Sequence, residues 1–218
     1  MEKAYRNTGY VMLLLIALVG FGFYKTYFSQ FPDFTENSTS LSHSRVTIFD
    51  HLHAALAALW ILFLISQPLL IRYGKSKIHR TTGKISYFLF PLLILSFIPL
   101  ILRILHSKYP ILAYLPIADG TLLILFYSLA VYNRKDTSRH MRYMIGTATA
   151  LLGPTLGRIG HNLIGLQPHV TQNTQYGIIY LILIGLIFFD RKHGKNFRPY
   201  ILILGAWTIH LTVYNILL

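Results

Sequence analysis

The sequence predicts an all-α fold: a polytopic membrane helix bundle of seven transmembrane helices, N-terminus inside and C-terminus outside. Three observations predict it. Only 12% of the 218 residues are charged while 54% are hydrophobic, whereas ordinary globular chains carry roughly 25% charged residues. Mean hydropathy is +0.50, so a soluble domain would leave far more apolar surface in water than it can hide. Finally, seven stretches approach the ~20 apolar residues needed to cross a hydrocarbon core of roughly 30 Å.

The spans are expected at residues 8–28, 50–71, 85–105, 112–132, 141–163, 175–189 and 200–217. The first follows Lys3 and Arg6, as a secretory signal would. It continues, however, through bulky Phe21, Phe23, Tyr24, Tyr27 and Phe28 without a small-residue cleavage site, which reads as a retained anchor helix. The second carries His53, Trp60 and Gln67 at steps of seven, hence on one face. The fifth carries His140, Met144, Thr147, Leu151, Pro154, Arg158 and His161 at alternating steps of four and three, again one face. Its remaining surface holds Gly146, Ala148, Ala150, Gly153, Gly157 and Gly160, small residues that let neighbouring helices approach closely. The fifth helix is therefore expected at the centre of the bundle, with Pro154 kinking it. The sixth span is the shortest.

Orientation follows from the cations, which short loops retain on the cytoplasmic side. With the N-terminus inside, 15 of the 20 Lys and Arg fall on the inner side, leaving only Lys25, Arg45, Arg103, Lys108 and Arg158 outside. The net charge of +13 is thereby read as positive-inside topology with contact to anionic headgroups at the cytoplasmic face, and no nucleic-acid partner is expected. Residues 29–50, rich in Ser, Thr, Asn and Asp, form a polar outer loop; Asn37-Ser38-Thr39 within it has the form of a glycosylation acceptor. One transmembrane domain, 1–218, is expected.

Ionisable groups inside lipid are expensive and tend to mark functional sites or structural hydrogen bonds. The fifth span separates His140 from His161 by about 31 Å, so polar groups sort into two layers. The outer layer holds Asp50, His51, His53, His106, Asp119, Arg158, His161, Asn162 and His210. The absence of cysteine excludes thiolate metal sites, iron–sulfur clusters and covalent c-type haem. His53, His161 and Asp119 lie on three different spans and have the right chemistry for zinc, iron, copper or haem b. Arg158, one turn from His161, is expected to pair with Asp119 or Asp50 or to bind an anionic group, with His210 nearby. The inner layer holds His79, Arg80, His140 and Arg142, read either as a basic headgroup rim or as a second ligand pair with an arginine anion site.

The segments His79-Arg80-Thr81-Thr82-Gly83 and Arg139-His140-Met141-Arg142-Tyr143-Met144, followed by Arg158, resemble those of a family of uncharacterised bacterial multi-pass membrane proteins. That family carries a similar HRxxG turn and H-x-R-x-M segment. The match covers the second to fifth spans and implies the membrane fold without an activity. Weaker is the similarity to b-type transmembrane cytochromes of the four-helix type, which implies paired histidines holding haem. Stacked haems use histidines ~14 residues apart, a spacing His140 and His161 do not have.

Three functions follow as expectations. The first is a metal or haem protein in a redox or membrane-enzyme role. The second is a transporter or small-molecule binder with a proton-relay path, and the third a non-catalytic subunit or assembly factor within a membrane complex. Hydrolase motifs of the G-x-S-x-G, H-E-x-x-H and P-loop types do not occur. The expected location is a bacterial inner (plasma) membrane.

Overall fold

A computed structural model describes residues 2, 5–33 and 46–218. Most of the expected outer loop, including the Asn37-Ser38-Thr39 acceptor and Arg45, lies outside the described residues, as does Lys3. Among the described residues every regular element is helical. The chain forms two compact units, Met1–Ala113 and Tyr114–Leu218.

The first unit contains α1 (Thr8–Met12), α2 (Leu14–Gly22), α3 (Ile48–Arg72), α4 (Ser76–Gly83), α5 (Ser86–Leu95) and α6 (Phe97–Leu105), with short 3-10 turns at Phe28–Gln30 and Pro110–Ala113. Its axis is α3, whose 25 residues extend about 37 Å. The helix starts at Thr47 because the Asp50 carboxylate accepts hydrogen bonds from the Thr47 backbone N–H and hydroxyl, both at 2.8 Å. This arrangement satisfies groups a helix start leaves open. Gly74 at φ 73° turns the chain into α4, the left-handed conformation that glycine adopts without a Cβ penalty. Helix α1 lies against α3, where a Cβ at Gly9 would sit 2.6 Å from Leu69 Cγ. Arg72 fastens the same contact by donating to the Arg6 carbonyl at 3.2 Å and to the Asn7 side chain.

The second unit contains α7 (Tyr114–Tyr132), α8 (Thr137–Arg158), α9 (Pro168–Lys192) and α10 (Arg198–Leu217), with a π-helical turn at Ile159–Ile164 between α8 and α9. Asp136 caps α8 by accepting from the Arg139 N–H at 3.1 Å. Pro168 and Pro199 stand in the first turns of α9 and α10, where a missing N–H costs nothing. The sequence places α8 centrally, and in this unit every residue from Ile145 to Ala150 is buried. Its glycines make the approach possible: a Cβ at Gly146 would meet Ile203 at 2.8 Å, and one at Gly160 would meet Thr171 Cγ2 at 2.6 Å. Trp207, Tyr200, Tyr176, Phe126 and Leu183 fill the core around it. Because the β-branched Thr171 cannot easily yield, Gly160→Val is expected to lower stability by about 1–3 kcal/mol. Thermal unfolding in detergent checks this, with Thr171→Ala in the same chain recovering part of the loss.

Among the described residues five helical stretches are long and apolar enough to cross a membrane: Ile48–Arg72, Ser86–Leu105, Pro110–Tyr132, Pro168–Lys192 and Arg198–Leu217. They coincide with the expected second, third, fourth, sixth and seventh spans. The sixth is longer than its apolar core suggested, because polar His169, Thr171, Gln172 and Asn173 continue the helix at its start. The first expected span differs: Thr8–Gly22 is apolar but short. The fifth differs for another reason. With 22 residues α8 has the length, but Arg139, Arg142 and Arg158 together with its Thr and Gly residues leave it less apolar than the other five.

Candidate functional site

Each unit holds clusters of polar side chains contributed by more than one helix. In the first unit, Asp50 and Arg103 form a two-point ion pair at 2.5 and 2.7 Å, a geometry that the planar guanidinium favours. Beside it the His51 ring meets the Tyr27 hydroxyl at 2.6 Å. One turn on, His53 Nδ1 lies 2.9 Å from Ser96 Oγ, and its ring stands edge-on to Phe97. Asp50 thus takes Arg103 as partner, within its own unit.

The second unit holds two deeper clusters. At the end formed by the start of α8 and the close of α9, Arg142 and Asp190 are fully buried together. Arg142 Nε donates to Asp190 Oδ2 at 2.6 Å and Nη2 donates to Oδ1 at 2.9 Å. Arg142 Nη1 donates to the Ser138 carbonyl and hydroxyl oxygens, and the guanidinium lies 6.0 Å from the Tyr200 ring centroid. Every face of this cation is occupied by the protein, so Arg142 is a clamp and presents no anion site. On the same helix His140 Nδ1 lies 2.8 Å from the Ala130 carbonyl. In the first unit, His79 is half-buried on α4 and Arg80 is exposed there.

The opposite end of the second unit is where chemistry is possible. Tyr176 of α9 and His210 of α10 are both buried, and the Tyr176 hydroxyl lies 2.6 Å from His210 Nδ1. The other ring nitrogen, Nε2, lies 3.3 Å from Asp119 Oδ1 of α7. Neither of these two atoms has another partner among the described residues, and their alignment falls short of a regular hydrogen bond. A phenol donates more readily than it accepts from a neutral imidazole, so Nδ1 accepts from Tyr176 and Nε2 carries its proton toward the carboxylate. Tyr114 fixes the backbone by donating to the His210 carbonyl at 2.8 Å. Trp207 stacks on the imidazole with centroids 5.2 Å apart and is itself held by donation to Thr149 Oγ1 at 3.0 Å.

Two glycines of α8 make room for this cluster. A Cβ at Gly153 would stand 3.3 Å from both Asp119 carboxylate oxygens and 3.2 Å from Gln175 Nε2, and one at Gly157 would stand 3.2 Å from Gln175 Oε1. Arg158 donates to the Pro154 carbonyl at 3.0 Å and lies close enough to Asp119 for direct electrostatic interaction. Arg158 and Asp119 thus interact electrostatically, and His210, expected only as a neighbour, lies 3.3 Å from the carboxylate.

Of the three expected ligands, Asp119 joins this cluster. His161 does not: its ring is exposed on the π-helical turn, with Nδ1 3.2 Å from the Leu166 carbonyl. His53 belongs to the first unit and contacts Ser96. Among the described residues no three His, Asp or Glu side chains come together in a way that would hold a metal ion. Sequence reasoning passed over Asp190, Tyr176, Tyr114 and Gln175. Asp190 is flanked by Arg191 and Lys192 and so reads as part of a solvated loop, yet it is one of only seven acidic residues, which was the available signal. Comparison of the chain with family models, with curated proteins and with solved structures found no match.

Proposed function

We propose that this chain is a proton-exchanging membrane protein of transporter type, with Asp119 and His210 as the exchanging pair. The single observation that carries the reading is the buried run Tyr176 hydroxyl, His210 imidazole, Asp119 carboxylate, contributed by three different helices. An imidazole can accept a proton at one ring nitrogen and give one up at the other, and ionisable groups placed inside a helix bundle commonly form proton relays. Arg158 lies close enough to interact electrostatically with Asp119, and the glycines of α8 let Asp119 and Gln175 pack against that helix. The redox reading, with zinc, iron, copper or haem b held by His53, His161 and Asp119, has less support because no three His, Asp or Glu side chains come together among the described residues in a way that would hold a metal ion.

For the topology we propose seven spans, N-terminus inside and C-terminus outside, in a bacterial inner membrane. Burial of α8 inside its unit supports this, since a helix shielded by neighbours can cross with fewer apolar residues than one facing lipid. The first span would then run beyond Gly22 through the aromatic residues 23–28.

Proteoliposomes containing the full chain test the proposal. Under an imposed pH gradient they are expected to take up protons faster than empty vesicles, and Asp119→Asn is expected to return the rate to that of empty vesicles. Uptake by the wild-type chain no faster than that of protein-free vesicles would overturn the reading.

A further inference from the structure

An imidazole passes protons between two partners only while each ring nitrogen stays aimed at its own. The histidine side chain does not supply that aim, because its ring torsion is broad and roughly two-fold. Tyr114 holds the His210 backbone carbonyl and not the ring. On the Asp119 side the 3.3 Å contact falls short of a regular hydrogen bond, so a small rotation of the ring decides whether that contact can carry a proton. The plane of the ring is set by what lies against its face.

That face is covered by Trp207, one turn earlier on α10. The indole stacks on the imidazole with centroids 5.2 Å apart and planes 27° apart. Tyr176, the donor to His210 Nδ1, stands edge-on to the same indole at 6.0 Å and 70°. The indole therefore touches both members of the hydrogen bond. Trp207 has no exposed surface, and its single polar atom can only donate. The acceptor is Thr149 Oγ1 on α8, at 3.0 Å. Thr149 is 2% exposed, and its own proton goes to the Gly146 carbonyl at 2.7 Å, so toward the indole its oxygen is purely an acceptor. Without that oxygen the indole N–H is left buried and open, which is costly. Rotation of the indole toward another acceptor relieves the cost and moves the surface against which His210 rests.

We infer that Thr149 is a positioning residue for proton exchange, acting through Trp207 to hold the His210 ring between Tyr176 and Asp119. Thr149 makes no hydrogen bond to any of those three among the described residues, so its effect passes through the indole alone. The consequence for flux rests on the proton-exchange reading, whereas the orientation of the ring stands apart from it.

The test uses the full chain. In proteoliposomes under an imposed pH gradient, Thr149→Val keeps the branched shape without the oxygen and is expected to lower proton uptake roughly tenfold. Thr149→Ser restores the acceptor and keeps the wild-type rate. Trp207→Phe lowers uptake as Thr149→Val does, and combining the two lowers it no further, since both act through one contact. A spectroscopic signature accompanies the loss. The chain has only two tryptophans, Trp60 and Trp207, so magnetic resonance of the detergent-purified protein gives two indole N–H signals. The one absent from Trp207→Phe is expected to shift in Thr149→Val and to hold its place in Thr149→Ser. Labelled histidine nitrogens, with the His210 pair identified by its loss in His210→Gln, are expected to show the proton on Nε2 alone in the wild type and divided between both nitrogens in Thr149→Val. This spectrum is read without flux, so a wild-type chain that moves no protons overturns the proton-exchange reading while the spectrum still decides whether Thr149 orients the ring. An unchanged His210 spectrum in Thr149→Val would overturn the inference, as would equal losses of uptake in Thr149→Val and Thr149→Ser. Should Thr149→Val not fold, an unchanged His210 spectrum in Trp207→Phe overturns it equally.

Discussion

Asp190→Ala is expected to lower the stability of the folded chain by about 3–5 kcal/mol, because it leaves the buried Arg142 cation without its counter-charge. Arg142 and Asp190 have no exposed side-chain surface, so neither water nor a lipid headgroup can replace the lost carboxylate. The two-point contact and the Ser138 oxygens also fix the guanidinium plane. Arg142→Lys is therefore expected to be strongly destabilising as well, since an ammonium cannot reproduce the fork. Removing both charges is a different matter. Arg142→Met with Asp190→Leu is expected to recover most of the loss, as apolar replacements of buried ion pairs often do. Thermal unfolding of the detergent-purified variants checks the series. A double variant no more stable than Asp190→Ala alone would show that the charges are not the cause.

Asp119→Asn is expected to reduce proton flux by roughly 10²-fold or more, the usual scale for removing a positioned acid or base. Asparagine keeps the volume beside Gly153 and presents a carbonyl to His210 Nε2, so packing survives while the ability to hold a proton does not. Thermal stability is expected to change by less than about 1 kcal/mol, since the hydrogen-bonding capacity toward His210 is preserved. This split between flux and stability separates a relay role from a structural one. If Asp119→Asn unfolds the second unit, or His210→Gln leaves flux at the wild-type rate, the pair is structural. Tyr176→Phe, which removes only the hydroxyl at His210 Nδ1, is expected to have an intermediate effect, because water or the Tyr114 hydroxyl 3.4 Å from the same nitrogen offers a partial substitute.

How far the sequence reached differs between fold and site. The face read from His140 to His161 on α8 illustrates the limit. Its spacing places those residues on one side of an ideal helix, but Ile159–Ile164 adopts π geometry, which rotates His161 away from the regular register. What the sequence left open was pairing. Asp50, one of two carboxylates offered as partner to Arg158, meets Arg103, 53 residues away. Arg142 was read with a headgroup rim and instead meets Asp190, 48 residues away.

By itself the sequence determined the helical class, the positions of five helices apolar enough for a membrane and the glycine surface that lets α8 become central. These depend on hydropathy, period and side-chain size along a single segment, which are local quantities. Only the tertiary structure decided that His210 faces Asp119 and Tyr176, that Arg142 is closed off by Asp190 and that Gln67 donates to Thr82. Each of these requires two or three helices to meet at a particular rotation and depth. A few degrees of rotation moves an imidazole from a carboxylate to the bilayer without altering the hydropathy of any segment.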